Sequence, residues 1–420
     1  MAVHDVGDSK SPSSSFAQNT QLPIHRWFRY SAGFSGAWAE QRIRERERNS
    51  VVFDPFAGVA TTLIAAQLAG RASVGLEAHP FVARLGLAKV KWTIDPRVLA
   101  DAGSRVTATA HRMGVSRGRD PEPALLESAF SSEALGDLRR LLRAIEKTTD
   151  AGSDERELLW LALVATLRPC SSAGTAPWQY VLPRKRKCRV ADPMDRFAYQ
   201  IAMMVEDVHD RPVAPARLMR GDARECTGVE PGSVDLVLTS PPYPNNYDYA
   251  DATRLEQTFL GEIDGWGGLH EISRRFLVRA CSQHATTERL QLSDLLADEV
   301  LGPIRPALSD VCEELDRVRG QRRGKKAYHT MIAAYFADMG RVWRALARVV
   351  RPGGQALFVI GDSAPYGVHV PVDDWMRALA DEAGFSFVSF REVRKRNVKW
   401  KNRKHRVPLL EGELTLVRRA

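Results

Sequence analysis

The stretch Val51-Val52-Phe53-Asp54-Pro55-Phe56-Ala57-Gly58-Val59-Ala60-Thr61-Thr62 constrains the fold more than any other part of the chain. A short β-branched run enters Asp-Pro, crosses a turn of small residues and leaves into the apolar run Leu63 to Leu68. This reads as strand, tight turn and helix. Gly58 and Ala60 let backbone come close to a ligand, and Thr61 or Thr62 is placed to cap the helix. Ala72-Ser73-Val74-Gly75-Leu76-Glu77 then reads as a second strand. It ends in an acid about twenty residues after the first turn, the spacing expected of a ligand for ribose hydroxyls.

A third strand, Val234 to Leu238, runs into Thr239-Ser240-Pro241-Pro242-Tyr243. The prolines fix φ and remove backbone donors, so the chain leaves the sheet stiff and with its carbonyls free. The Ser240 side chain and the Pro241 carbonyl are placed to accept two hydrogen bonds from an exocyclic amine. Tyr243 offers a ring to stack on the flat base that carries it. Arg220-Gly221-Asp222 follows the short run Ala216 to Met219 and supplies a further acceptor, suited to an adenine amino group.

Together these blocks resemble the S-adenosylmethionine-dependent DNA amino-methyltransferases, which methylate N4 of cytosine or N6 of adenine. Asp54-Pro55-Phe56-Ala57-Gly58 with Thr61-Thr62 is similar to the family's glycine-rich cofactor motif. Glu77 resembles its ribose ligand, Asp222 its adenine contact, and Ser240-Pro241-Pro242-Tyr243 its catalytic motif. Phe34-Ser35 resembles the N-terminal element that closes over the methionine end of the cofactor. Arg351-Pro352-Gly353-Gly354 resembles a late turn of the same fold. The resemblance covers about half of the chain, in separated blocks. It implies a class I, Rossmann-like α/β fold with a mostly parallel seven-stranded sheet and helical insertions. It also implies S-adenosylmethionine as cofactor and double-stranded DNA as substrate, in a bacterial, cytoplasmic setting, either alone or with a cognate restriction endonuclease. Serine before the prolines leans toward cytosine N4.

This chain departs from the family in three ways. Ala60 stands where glycine is usual and narrows the turn, Gly36 stands where proline is usual, and a long insertion separates Glu77 from Asp222. Each motif also has an ordinary structural reading: a strand-to-helix turn, a proline-rich loop, a surface acid. Their order, each at the end of an expected strand, favours function. N6-adenine methylation, an RNA amino-methyltransferase and a catalytically inactive relative remain as alternatives. Cytosine C5 chemistry would need a thiolate, and Cys170 in Pro169-Cys170-Ser171 has no evident activating partner.

With 420 residues, 44% hydrophobic and 26% charged, the chain is of ordinary soluble composition. It has no apolar run of membrane-spanning length and no signal-peptide core. The five cysteines are scattered without a C-x-x-C pair, so a reducing compartment and no zinc site are expected. A net charge of +9 suits a polyanionic partner.

Residues 1–20 read as a disordered tail, and 21–91 with 216–420 as the catalytic core. His25 to Tyr30 reads as a clasp onto the catalytic core, a cover for the cofactor or a DNA contact, and Ala37 to Arg48 as a charged surface helix. Residues 92–215 read as a helical insertion and candidate target-recognition region, with a smaller helical insertion at about 255–324. Two basic runs are candidate phosphate contacts. One is Arg184, Lys185, Arg186 and Lys187, expected in a loop; the other holds Arg394, Lys395, Arg396, Lys399 and Lys401, expected in a C-terminal hairpin. Asn245, Asn246, Tyr247 and Asp248 are expected either to line the pocket or to form turns.

Overall fold

Seven strands form one sheet in the order β5-β2-β1-β6-β7-β9-β8. They are β1 (Val52–Asp54), β2 (Ser73–Glu77), β5 (Ala216–Arg220), β6 (Val234–Thr239), β7 (Val350–Gly361), β8 (Phe385–Arg396) and β9 (Leu409–Arg418). The first five in that order run parallel; β9 is antiparallel to both β7 and β8. The computed structural model describes residues 16–114, 122–176, 180–245, 247–272, 276–280, 289–323, 326–396 and 409–420. The strand order reverses between β1 and β6, so the carboxyl ends of β1, β2 and β6 flank a crevice. Open α/β sheets bind ligands at such a switch point.

The apolar strands are buried on both faces, as expected of parallel strands. On β7, Leu357 and Val359 face one side with Trp38, Ile43, Ala65, Leu236 and Leu238. Ala356, Phe358 and Ile360 face the other, against the long helix Tyr328–Val349. This period of two is the strand signature. Trp343 of that helix stacks on Phe358, with ring centroids 4.5 Å apart.

Helix α1 (Gly36–Arg44) is no mere surface helix: Trp38, Ala39 and Ile43 are buried against α2 (Thr61–Leu68) and the sheet. The tail also ends earlier than expected. Residues 1–15 lie outside the described residues, but Phe16–Thr20 forms a 3-10 turn, and the Asn19 side chain bonds Phe34 O and Gly36 N. His25 to Trp27 act as a clasp. Ile24 N, Arg26 and the Trp27 indole all donate to Asp207 at the end of α8 (Pro193–Asp207).

Residues 92–215 carry α4 (Pro96–Arg112), α5 (Ala124–Ala129), α6 (Ser132–Thr148), α7 (Asp154–Cys170) and α8, with a hairpin of β3 (Ala173–Thr175) and β4 (Val181–Arg186). Their apolar faces (Leu99, Leu138, Leu159, Phe197) join one cluster with Leu63, Phe81 and Leu85 of α2 and α3 (Pro80–Lys89). The insertion is thus packed into the wall behind the crevice. No described helix is long and apolar enough to cross a membrane.

Candidate cofactor and base pocket

A cavity lies at the switch point, walled by Phe34, Phe56, Gly58, Thr61, Glu77, Asp222, Ser240 and Pro242. Five sequence blocks therefore converge on one place although they span 34 to 242. Ala57 also lines it.

Asp54 ends β1 but does not line the cavity; it braces the turn beneath it. Its carboxylate accepts from Phe56 N at 3.0 Å, Thr239 Oγ1 at 2.6 Å and Thr62 Oγ1 at 2.5 Å, joining β1, β6 and α2. Burial pushes its pKa up to about 6, against those three hydrogen bonds. Thr62 is likewise buried, so the expectation that Asp54 and Thr62 touch a cofactor is corrected: both act one layer back. Neither threonine caps α2. The cap residue is Ala60, at φ 66°, in the left-handed region that glycine prefers. Ala60 is fully buried and not part of the cavity wall, and its methyl faces Gly86 of α3, so it does not narrow the pocket.

Glu77 is held at the end of β2 by two backbone amides. Gly58 N donates to Oε2 at 2.9 Å, and His79 N to Oε1 at 2.7 Å. Burial pushes its pKa up to about 7, against these amide bonds. The spare lone pairs of this fixed carboxylate suit a pair of hydroxyl donors. Asp222 faces the cavity with Arg224 bound to both of its oxygens, at 2.9 and 2.6 Å. Arg224 and Arg279 are both held by Asp338, a buried acid of the long helix. Arg279 follows Phe276, Leu277 and Val278, which also line the cavity.

Phe34 lines the cavity, with its ring edge-on to Trp38. Ser35 does not: it is buried and caps α1, accepting from Trp38 N at 3.3 Å. The unusual Gly36 has a physical cause. A Cβ there would come within 2.5 Å of the His25 ring, which occupies the space of a side chain.

Ser240 opens onto the cavity. Its hydroxyl donates to Val359 O on β7 at 3.1 Å, which leaves the oxygen lone pairs to accept. Pro242 also lines the cavity, whereas Pro241 and Tyr243 stand just outside its wall. Tyr243 OH donates to the same Val359 O at 3.4 Å, and its backbone N–H to Tyr249 OH at 3.0 Å. The aromatic that reaches the cavity from this loop is Tyr249, joined by Tyr30 of the strap. Asn245 and Asp248 are turn formers: Asn245 Oδ1 accepts from Tyr247 N, and Asp248 Oδ1 from Ala250 N and Asp251 N. Asn246 lies outside the described residues. Sequence reasoning missed Tyr249 and Phe276 to Val278; an aromatic beyond Pro-Pro-Tyr was a usable signal for Tyr249, but nothing local marks the other segment.

Of the first basic run, Arg184 and Lys185 are exposed, on a strand rather than a loop. Arg186 donates to Ser128 O and Ser172 Oγ, and Lys187 to Arg168 O. In the second run Arg394 pairs with Glu411 at 2.9 Å and Lys395 is exposed. The Arg396 side chain, Lys399 and Lys401 lie outside the described residues. Cys170 is buried at the end of α7, and burial pushes its thiol up to about 12, away from the thiolate that C5 chemistry would ask of it.

The strand order, with a cavity at its switch point, is that of the class I, S-adenosylmethionine-dependent methyltransferase fold. No family model matches the chain. It is 21% identical to the Type II methyltransferase M.BsoBI of Geobacillus stearothermophilus, over 91% of this chain and 82% of that one. It is 26% identical to the Type II methyltransferase M.AvaI of Nostoc sp., over 89% and 81%. Among solved structures, an S-adenosylmethionine-dependent methyltransferase from Methanosarcina mazei aligns over 89% of this chain and 94% of its own, at 6% identity and a TM-score of 0.31. The chain is thus similar to Type II methyltransferases over most of its own length and of theirs.

Proposed function

We propose that this enzyme methylates N4 of cytosine in double-stranded DNA, on a base turned out of the helix to meet Ser240. The observation that carries this reading is the Ser240 hydroxyl. Its one proton is directed at Val359 O, so toward the cavity it is an acceptor. The Pro241 carbonyl is the second acceptor in the reading. Two acceptors on the amine hydrogens favour a tetrahedral nitrogen and turn its lone pair away from the ring. Bound S-adenosylmethionine supplies an electrophilic sulfonium methyl. Transfer of that methyl would leave S-adenosylhomocysteine, and the methylated amine would shed one proton to solvent. Positioning does most of the catalytic work. Glu77 takes the ribose hydroxyls, Asp222 the adenine amine, and Phe34, Phe56 and Phe276 provide apolar walls.

The choice of cytosine rests on the resemblance, in which serine leads the Pro-Pro motif. For the DNA side we assign Arg184, Lys185 and Lys395 to phosphates and residues 92–215 to target recognition. Lys399 and Lys401 keep the same assignment from sequence alone. A restriction-modification setting with a cognate endonuclease is part of the same proposal, supported by the likeness to Type II methyltransferases.

The test is transfer of labelled methyl from S-adenosylmethionine to unmethylated genomic DNA, followed by digestion and mass spectrometry of the nucleosides. Labelled N4-methylcytosine is the expected product. Labelled N6-methyladenine would overturn the base assignment, label confined to added RNA the DNA substrate, and no label in either the catalytic reading.

A further inference from the structure

A second, smaller cavity lies beside the first. The two share Tyr30, Gly33, Val59 and Thr61 as a common wall. That wall is made by the strap before Phe34 and the turn after β1. In the reading above it faces the amino-acid end of the cofactor, while Glu77 and Asp222 face the nucleoside.

The basic residues Arg26, Arg29 and Lys89 line the rest of the smaller cavity beside a His25 ring that burial keeps neutral, and no acid does among the described lining residues. Arg26 is committed elsewhere, to Asp207 at 2.7 Å and Glu206 at 3.1 Å. Lys89 is in a different position. The last turn of α3 carries it into the core, where it is 1% exposed, and its ammonium donates to His25 O at 3.1 Å. No carboxylate pairs with it among the described residues. An ammonium has three donors, and removing one from water without a counter-charge costs several kcal/mol. Burial accordingly pushes its pKa down to about 7. Beside it, the buried His25 Nδ1 has no hydrogen-bond partner. The His25 ring is fixed over Gly36, so Gly36, His25 and Lys89 form one packed unit.

A buried cation without a counter-ion, lining an acid-free cavity that adjoins the amino-acid end of the ligand, has one obvious complement. We propose that this annex receives the α-carboxylate of S-adenosylmethionine, with Lys89 as its counter-ion. The proposal rests on the cofactor reading of the larger cavity. It gives a binding role to a residue that no motif marks, and it accounts for Gly36. Gly36 leaves room for the His25 ring, and His25 O orients the ammonium.

Two ligands separate the parts of this claim: S-adenosylhomocysteine, and its decarboxylated analogue, which keeps the nucleoside, thioether and amine. Calorimetric titration of the unmodified protein should show S-adenosylhomocysteine binding at least about tenfold more tightly, the size expected of a charged hydrogen bond. Lys89→Met should remove most of that advantage and leave the decarboxylated analogue within about twofold of its original affinity. Equal affinities in the unmodified protein overturn the annex, whether or not the variant folds. Equal losses for both ligands in a folded Lys89→Met overturn it too, since Lys89 would then only support packing. If the unmodified protein binds neither ligand, the cofactor reading itself is wrong, and the annex falls with it.

Discussion

The cofactor wall and the basic surfaces hold their charges in opposite ways. In the wall, Glu77 is fixed by backbone amides alone, so its charge has no side-chain counter-ion to displace. On the β8–β9 hairpin two of the cations are paired with the neighbouring strand, while Lys395 is exposed. Arg391 and Arg394 stand opposite Glu413 and Glu411 in register and pair with them at 2.8 and 2.9 Å. The β3–β4 hairpin is intermediate: Arg186 and Lys187 bind carbonyls of the insertion, while Arg184 and Lys185 point out. A run of arginines therefore measures charge along the chain, not charge available to a phosphate.

The largest effect is expected where wall and surface meet, at Ser240. Ser240→Ala should lower kcat by roughly a hundredfold, as loss of positioning does, while S-adenosylhomocysteine affinity stays within about twofold. Methyl-transfer rates and calorimetry check both halves. A parallel fall in affinity would make Ser240 part of the cofactor wall instead.

Next comes Glu77. Glu77→Ala should weaken cofactor binding by about tenfold to a hundredfold, the worth of charged hydrogen bonds. The pH dependence has a definite sign. The folded pKa of about 7 lies above the ordinary 4.5, so the stabilising contribution of Glu77 to the empty protein is present below pH 4.5 and lost as pH rises through about 7. Asp54, raised to about 6, acts in the same direction at lower pH. Melting curves of the cofactor-free protein should show this fall, with its upper part flattened in Glu77→Gln. Cofactor affinity should run the other way, rising through about pH 7 as the acceptor ionises.

The two hairpins give a smaller and more discriminating contrast. Replacing Arg184 and Lys185 together by alanine should weaken DNA binding uniformly across sequences. It should also reduce the slope of log K against log salt by about 1.8, roughly 0.9 per phosphate contact, as read by anisotropy. Arg394→Ala should instead act on stability, because it removes an ion-pair partner of the buried Glu411. A loss of about 1 kcal/mol or more is expected in denaturant titration. If both variants lose DNA affinity equally, the distinction between paired and exposed cations fails. The smallest effect is expected at Ala60. Ala60→Gly relieves a left-handed backbone and should stabilise the fold by about 1 kcal/mol, with cofactor affinity unchanged.

Much of this molecule was legible because its chemistry sits at strand ends, where local pattern and function coincide. Asp54, Glu77 and Ser240 each close an apolar run, and the strands β1, β2 and β6 that carry them are neighbours in the sheet. The reading failed where residue type was taken for position. Asp54, Thr62 and Ser35 match the motifs, but they brace the backbone behind the cavity. The wall residues Phe276 to Val278 carry no local signal, because they reach the cavity through Arg279 and the distant Asp338.

The sequence by itself determined the strand-turn-helix units and the acceptors at their ends, since these depend on hydrophobic period, proline and neighbouring residues. It also determined the overall positive charge. Only the tertiary structure decided which cations stay exposed, that Ala60 sits harmlessly against α3, that Gly36 yields its space to His25, and that Lys89 is buried beside the strap. Each of these depends on contacts between segments far apart in the chain, where burial and pairing replace local preference as the controlling free energy.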